Sequence, residues 1–226
     1  MSDGPRRIRD MRNLGPAIER MLTEVGIATP DALRAAGAAE AFRRLTGRGG
    51  ASRNALHAME GALSDRDWRD VARDDVQVVA GERRHAEACA AILDGWIEET
   101  AWMPRLHDLE SIRWFVGEVL LGGQHVWVAF ERARPVGFIA LEAAPGEDGS
   151  APVVSALYLA PDARGRGIGR RLLEEAKRAA PGGLELWTFQ ANEDARRFYA
   201  REGFTELSRT DGENEERLPD VLVGWR

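Results

Sequence analysis

The chain has 226 residues, 44% hydrophobic and 30% charged, with 24 Gly and 10 Pro; this predicts a globular protein of one or two domains and excludes collagen-like or low-complexity chains. The longest unbroken apolar run, Ala88–Leu93, spans six residues where a bilayer crossing needs about 20, so no membrane partner is expected. Net charge is −6, one cysteine excludes an internal disulfide, and the opening MSDGPRRIRD has no secretory pattern, which together predict a cytoplasmic location.

In chain order, apolar residues first recur at helical spacing: Ile18, Met21, Leu22 and Val25, then Ala32, Leu33 and Ala36, then Leu56, Met59 and Leu63. Gly26 reads as a helix stop, and Thr29-Pro30-Asp31 as a start with Pro in the first turn. The charge-dense stretch Ser64–Asp75 then divides the chain, giving expected domains over 1–72 and 73–226. Through Ala72 twelve Arg accompany ten acidic residues, while the remainder carries nineteen basic and twenty-seven acidic. A net +2 on the first part is far below a strong nucleic-acid footprint.

Past the boundary the pattern alternates. A strand at Val76–Ala80 leads to helices over Arg84–Glu98 and Asp108–Leu121. Strands Val126–Phe130 and Val136–Leu141 follow, joined by a hairpin-length turn. After a loop at Pro145–Ser150 come a strand at Val153–Leu159, an amphipathic helix over Ile168–Ala180 and a strand at Leu184–Phe189. A helix over Asn192–Glu202, capped by Gly203, and two closing strands complete the reading.

The turn after Val153–Leu159 reads Ala160-Pro161-Asp162-Ala163-Arg164-Gly165-Arg166-Gly167-Ile168-Gly169. A glycine-rich segment between a strand and a helix sets unpaired amides at the positive end of that helix, where phosphate oxygens bind. A tight turn that needs only small residues would show the same glycines. No Gly-Lys-Ser/Thr triplet occurs, and the Gly165, Gly167, Gly169 spacing is not that of a dinucleotide fingerprint. The pattern Arg/Gln-x-x-Gly-x-Gly/Ala is met by Arg164, Gly167 and Gly169. Downstream stand Asn192-Glu193-Asp194-Ala195-Arg196-Arg197-Phe198-Tyr199 and Glu202-Gly203-Phe204. With both motifs in order, the chain from about Val76 to Arg226 resembles the GCN5-related N-acetyltransferases, the GNAT superfamily.

The resemblance implies an α/β (α+β) GNAT fold whose mixed central sheet splays into a cleft for acetyl-CoA as cosubstrate. Backbone groups of Leu157, Tyr158 and Leu159 would bond the pantetheine arm. Amides of Gly165, Arg166, Gly167, Ile168, Gly169 and Arg170 would hold the pyrophosphate, with Arg164 and Arg166 adding charge. Asn192 would contact the cofactor and is equally a good helix N-cap. Tyr199 matches the tyrosine that protonates the departing thiolate, and is otherwise a core aromatic beside Phe198. The amine attacks the thioester directly, so Cys89 is expected to be only an apolar filler. The strand Val154-Ser155-Ala156-Leu157 lacks the acidic or histidine side chain often found there, which leaves the base to Glu142 first and His107 second. For the acceptor, Trp102 and His107 lie between the first two helices of this part, and Glu215, Glu216 and Asp220 lie in the last loop. These carboxylates suit a cationic amine or merely form a solvated loop. Both stretches resemble a bacterial subgroup of the family. Four His and one Cys show no zinc-ligand spacing, so no metal is expected.

Arg12–Leu33, Asn54–Leu63 and Trp68-Arg69 resemble the C-terminal domain of TfoX/Sxy competence regulators, itself similar to helix-hairpin-helix units. Leu14-Gly15-Pro16 and Val25-Gly26-Ile27 are the candidate hairpin turns. The resemblance leaves nucleic-acid contact, protein contact and a homodimer open. The expected whole is a small all-α N-terminal domain fused to an enzyme that acetylates a small-molecule or peptide amine. Its rival is a non-catalytic acetyl-CoA sensor that binds nucleic acid or a protein through residues 1–72.

Overall fold

The computed structural model describes residues 7–47, 51–142 and 151–226. The chain separates into two compact units between Asp75 and Val76. The expected loop at Pro145–Ser150 lies outside the described residues.

The first unit is helical: α1 Pro16–Glu24, α2 Pro30–Ala36, α3 Ala38–Thr46, α4 Arg53–Ser64 and α5 Trp68–Asp74. Its start and stop signals act as their chemistry requires. Pro16 and Pro30 occupy first-turn positions, the Thr29 hydroxyl accepts from the Ala32 N–H at 3.1 Å, and Gly26 takes φ +82° after α1. Ile8, Leu22, Ile27, Leu33, Leu45 and Met59 form the centre of one apolar core. Asn13, at φ +66°, ties the chain start to the α4–α5 turn: its amide donates to the Arg66 carbonyl at 2.6 Å and its carbonyl accepts from the Trp68 N–H at 3.2 Å.

The second unit begins with β1 Val76–Ala80 and continues through α6 Ala86–Glu99 and α7 Leu109–Trp114. Where one continuous helix is expected over Asp108–Leu121, the structure changes to a π-helical segment at Phe115–Leu120 before a last turn, α8 Leu121–Gly123. Then follow β2 His125–Glu131, β3 Arg134–Leu141, β4 Val154–Leu159, α9 Ile168–Ala179, β5 Leu184–Phe189, α10 Glu193–Arg201, β6 Thr205–Thr210 and β7 Asp220–Trp225. The strands form two antiparallel sheets, ordered β1-β2-β3-β4 and β5-β7-β6. A single parallel bridge, Val153 to Glu185, joins them, helped by the Glu185 N–H on the Pro152 carbonyl at 3.1 Å. Beyond it β4 and β5 do not pair with each other. This is the splayed centre expected of the fold.

Two apolar layers cover the sheets. On one face α9 packs Ile168, Leu172, Leu173 and Ala176 onto Ile139, Val154, Leu186 and Val223. On the other, Cys89, Leu93, Ile112 and Val116 meet Val128, Phe138 and Ala156. The β3–β4 register slips between Ala140 and Leu141, leaving Ser155 as an extra residue. An extra residue reverses the alternation of a strand. Val154 and Leu157 therefore share the α9 face, while Ala156 and Tyr158 face α6 and α7.

Candidate active site

Helix α9 opens the site. Gly165 and Gly167 take φ +70° and +79°, conformations that a side chain disfavours, and a Cβ on either would meet nothing within 4 Å. No side chain caps α9. The amides of Gly165 and of Gly167 through Arg170 donate to no backbone carbonyl among the described residues. Unsatisfied N–H groups at a helix N-terminus in open space suit phosphate oxygens. The cradle fits the pyrophosphate that the sequence implies, and it stands beside the unpaired edge of β4.

The two arginines of the turn face elsewhere. Arg166 is buried, paired with the buried Glu131 carboxylate, and donates to the Asp162 carbonyl at 3.3 Å. It therefore locks the turn onto β2, and the expectation that its side chain neutralises pyrophosphate is corrected. Arg164 donates to the Leu159 carbonyl at 3.0 and 3.2 Å and pairs with Glu99 of α6. That carbonyl, expected on the pantetheine path, is already bonded. Asn192 caps α10, its Oδ1 accepting from the Ala195 N–H at 3.1 Å.

Tyr158 and Tyr199 are the chain's two tyrosines. Tyr199, on α10, packs against Phe198 and Phe204 with centroids 5.2 and 5.6 Å away, in the α9 layer. Tyr158 approaches from the opposite layer, edge-on to Trp96 at 5.3 Å. Burial first, then the neighbouring Tyr158, hold the Tyr199 phenol well above its ordinary value. Burial, then the Glu216 charge, push Tyr158 up to about 12. Both phenols stay protonated at neutral pH. Cys89 is fully buried, and desolvation raises its thiol to about 12, so it is inert filler.

On the Tyr158 side lies a cavity of 830 Å³. Leu93, Trp96, Ile112 and Tyr158 give it apolar walls, and Glu110, His107, Glu215 and Glu216 its polar groups. His107 Nε2 stands 3.1 Å from Glu215 Oε1. Trp102 lies behind this wall, between Trp96 and Phe189. Two expected residues are not brought here. Glu142 is exposed and sits opposite Val153 at the start of β4, its N–H on the Val153 carbonyl at 2.9 Å. Five residues of strand, about 16 Å, separate that point from Tyr158. Asp220 is buried, bonded to the Thr210 hydroxyl and to Asn214 Nδ2 at 2.8 Å, and so anchors the β6–β7 loop, where it lines a separate cavity over the smaller sheet.

The site thus has a phosphate cradle on one face, a cavity with carboxylates on the other, and between them the opening of β4 from β5, with Tyr158 near enough to raise the Tyr199 phenol. Residues 4–79 match the TfoX C-terminal domain, and residues 122–206 match the acetyltransferase (GNAT) domain. The chain carries a GNAT acetyltransferase domain. Among curated relatives, the chain is 27% identical over 140 residues to peptidyl-lysine N-acetyltransferase YiaC of Escherichia coli (strain K12), covering 60% of this chain and 88% of that one. It is 39% identical over 109 residues to peptidyl-lysine N-acetyltransferase YjaB of the same strain, covering 47% and 62%. The solution structure of apo-form YjaB superposes with a TM-score of 0.53 at 26% identity, over 66% of this chain and 97% of that one. PaiA N-acetyltransferase from Thermoplasma acidophilum, solved with coenzyme A, shares the fold at TM-score 0.54 and 20% identity, over 67% and 98%. These relationships support acetyl transfer over the non-catalytic sensor.

One group escaped the sequence reading. His57 and Glu60 on α4 and Asp75 at the end of the first unit bring ligand-capable atoms within 4.8 Å of one another, with His57 Nε2 3.3 Å from Asp75 Oδ2. The spacing of three between His57 and Glu60 on one helix was the available signal. Their approach to Asp75 depends on how α5 folds back.

Proposed function

We propose that the enzyme moves acetyl from acetyl-CoA to a primary amine by direct attack, with a lysine side chain of a peptide as the acceptor. The observation that carries this reading is the opening between β4 and β5, with the uncapped amides of α9 on one face and the carboxylate-bearing cavity on the other. Bound along that opening, acetyl-CoA supplies the acetyl group as an activated thioester. The Gly165–Arg170 amides hold its pyrophosphate, and the free edge of β4 at Leu157 and Tyr158 aligns the arm. Rate then comes mainly from holding two reactants together. Tyr199 donates the proton that the departing sulfur needs, and the raised phenol keeps that proton in place at working pH.

His107 is the proposed base. A proton on Nε2, directed at Glu215, leaves the Nδ1 lone pair to take the ammonium proton of the acceptor. The YiaC and YjaB names support a peptide lysine as acceptor. The test is acetyl-CoA-dependent thiol release with a lysine peptide, with mass spectrometry locating the product on the ε-nitrogen. His107→Gln is expected to lower kcat about tenfold or more while leaving acetyl-CoA binding unchanged. A variant that retains kcat to within about threefold would take the base role away from His107.

A further inference from the structure

A second cavity, of 610 Å³, adjoins the acceptor cavity through a shared wall residue, Glu216. It lies over the smaller sheet, lined by Trp187 and Phe189 of β5, Ser208 and Thr210 of β6, and Glu213 and Asn214 of the last loop. Trp187 and Phe189 alternate with Leu186, which faces α9, so their side chains stand on the acceptor side of the sheet. Phe189 reaches Trp102 there, at 5.6 Å between rings.

Charge is distributed unevenly around these two spaces. The chain has 31 Lys and Arg, yet among the described residues none of them lines either cavity. Most exposed carboxylates elsewhere on this unit pair with arginine, for example Glu87 with Arg113 and Glu206 with Arg209. Among the described residues, Glu110, Glu213 and Glu216 have no cationic partner. Arg217, in the same loop as Glu213 and Glu216, lines neither space.

The loop that presents Glu213 is held in shape. Asn214 donates to the Leu218 carbonyl at 2.7 Å and to Asp220 Oδ2 at 2.8 Å, and accepts from the Leu218 N–H at 3.1 Å. The Thr210 hydroxyl bonds to Asp220 and accepts from the Gly212 and Glu213 amides at 3.2 and 3.3 Å. Backbone and buried side chains are thereby committed to loop structure, which leaves the Glu213 carboxylate and the half-exposed Trp187 ring as the recognition groups, beside the shared Glu216. An indole face and a carboxylate with no basic neighbour suit an organic cation.

We propose that this second cavity seats a second cationic group of the acceptor, against Trp187 and Glu213, while the reacting amine occupies the larger cavity. The inference rests on the acetyl-transfer reading and deepens it: the preferred acceptor carries at least two positive charges. Aliphatic diamines and a lysine peptide with a neighbouring arginine share that chemistry.

The test compares kcat/KM for n-butylamine with α,ω-diamines of four to twelve carbons, and for a capped lysine peptide with the same peptide bearing an adjacent arginine. At least one dication is expected to exceed its monocation about tenfold, with a length optimum for the diamines. That ratio should collapse toward one in Trp187→Ala and in Glu213→Gln. The arm that shows the preference tells a small polyamine-like acceptor from a basic peptide. Equal ratios in wild type, or a preference that survives both substitutions, would overturn the second site. If no amine turns over, acetyl transfer to amines is what fails. Calorimetric binding of the same amines to the CoA-saturated protein then reads the ratio, and equal affinities would overturn the site there too.

Discussion

Replacing Tyr199 with phenylalanine isolates one proton from everything else the residue does. The ring contacts to Phe198 and Phe204, at 5.2 and 5.6 Å, are kept. The hydroxyl makes no hydrogen bond among the described residues, so its removal leaves no protein group unpaired. Stability should therefore change by less than about 1 kcal/mol. In the reaction, the hydroxyl faces charge developing on sulfur, and a hydrogen bond to a charged partner is worth about 1.5–3 kcal/mol. At about 1.4 kcal/mol per factor of ten, kcat should fall roughly 10- to 150-fold. The assay is thiol release at saturating acetyl-CoA and lysine peptide, with thermal unfolding and calorimetric binding of acetyl-CoA in parallel. A variant that folds and binds acetyl-CoA like the wild type, but retains kcat to within about threefold, would refute the assignment of Tyr199 as the acid.

Ultraviolet titration offers a second check, since only two tyrosines contribute. Both native phenols are raised by burial, Tyr158 to about 12, so no phenolate absorbance is expected as the folded protein passes pH 10. The denatured chain should titrate near the ordinary value of about 10. A group raised in the folded state stabilises the fold below its unfolded value and loses that contribution as pH climbs toward its native value, so stability should fall above about pH 10. Arg166→Met supplies a third test, because it removes the buried guanidinium from the buried Glu131 carboxylate and leaves there the longer pair with Arg134 at 3.8 Å. A loss of about 3–5 kcal/mol in unfolding free energy is expected, far more than for Arg164→Met on the exposed pair with Glu99. Comparable losses for the two would show that Arg166 is not the lock.

Local chemistry makes much of this protein legible from its residues alone. The strands at Val76–Ala80 and Leu184–Phe189, the α9 helix after its glycine turn, and the Thr29-Pro30 and Gly26 helix signals follow from periodicity, capping and backbone freedom, which act within a few residues. The phosphate cradle belongs to the same class, since Gly165, Gly167 and an uncapped helix start are contiguous in sequence. Tertiary structure decided the rest. Whether Arg166 meets phosphate or Glu131 depends on a strand 35 residues away. Likewise, the partners of Asp220 come from Thr210 and Asn214 as the last loop closes, and Glu142 is carried away from Tyr158 by the length of β4. The Ser155 bulge sets which side of β4 faces α6 and α7, a one-residue shift that no propensity encodes. Sequence determines which chemical groups are present and how neighbours along the chain must bend; side-chain pairing across strands is settled only when burial forces each charge to find its partner.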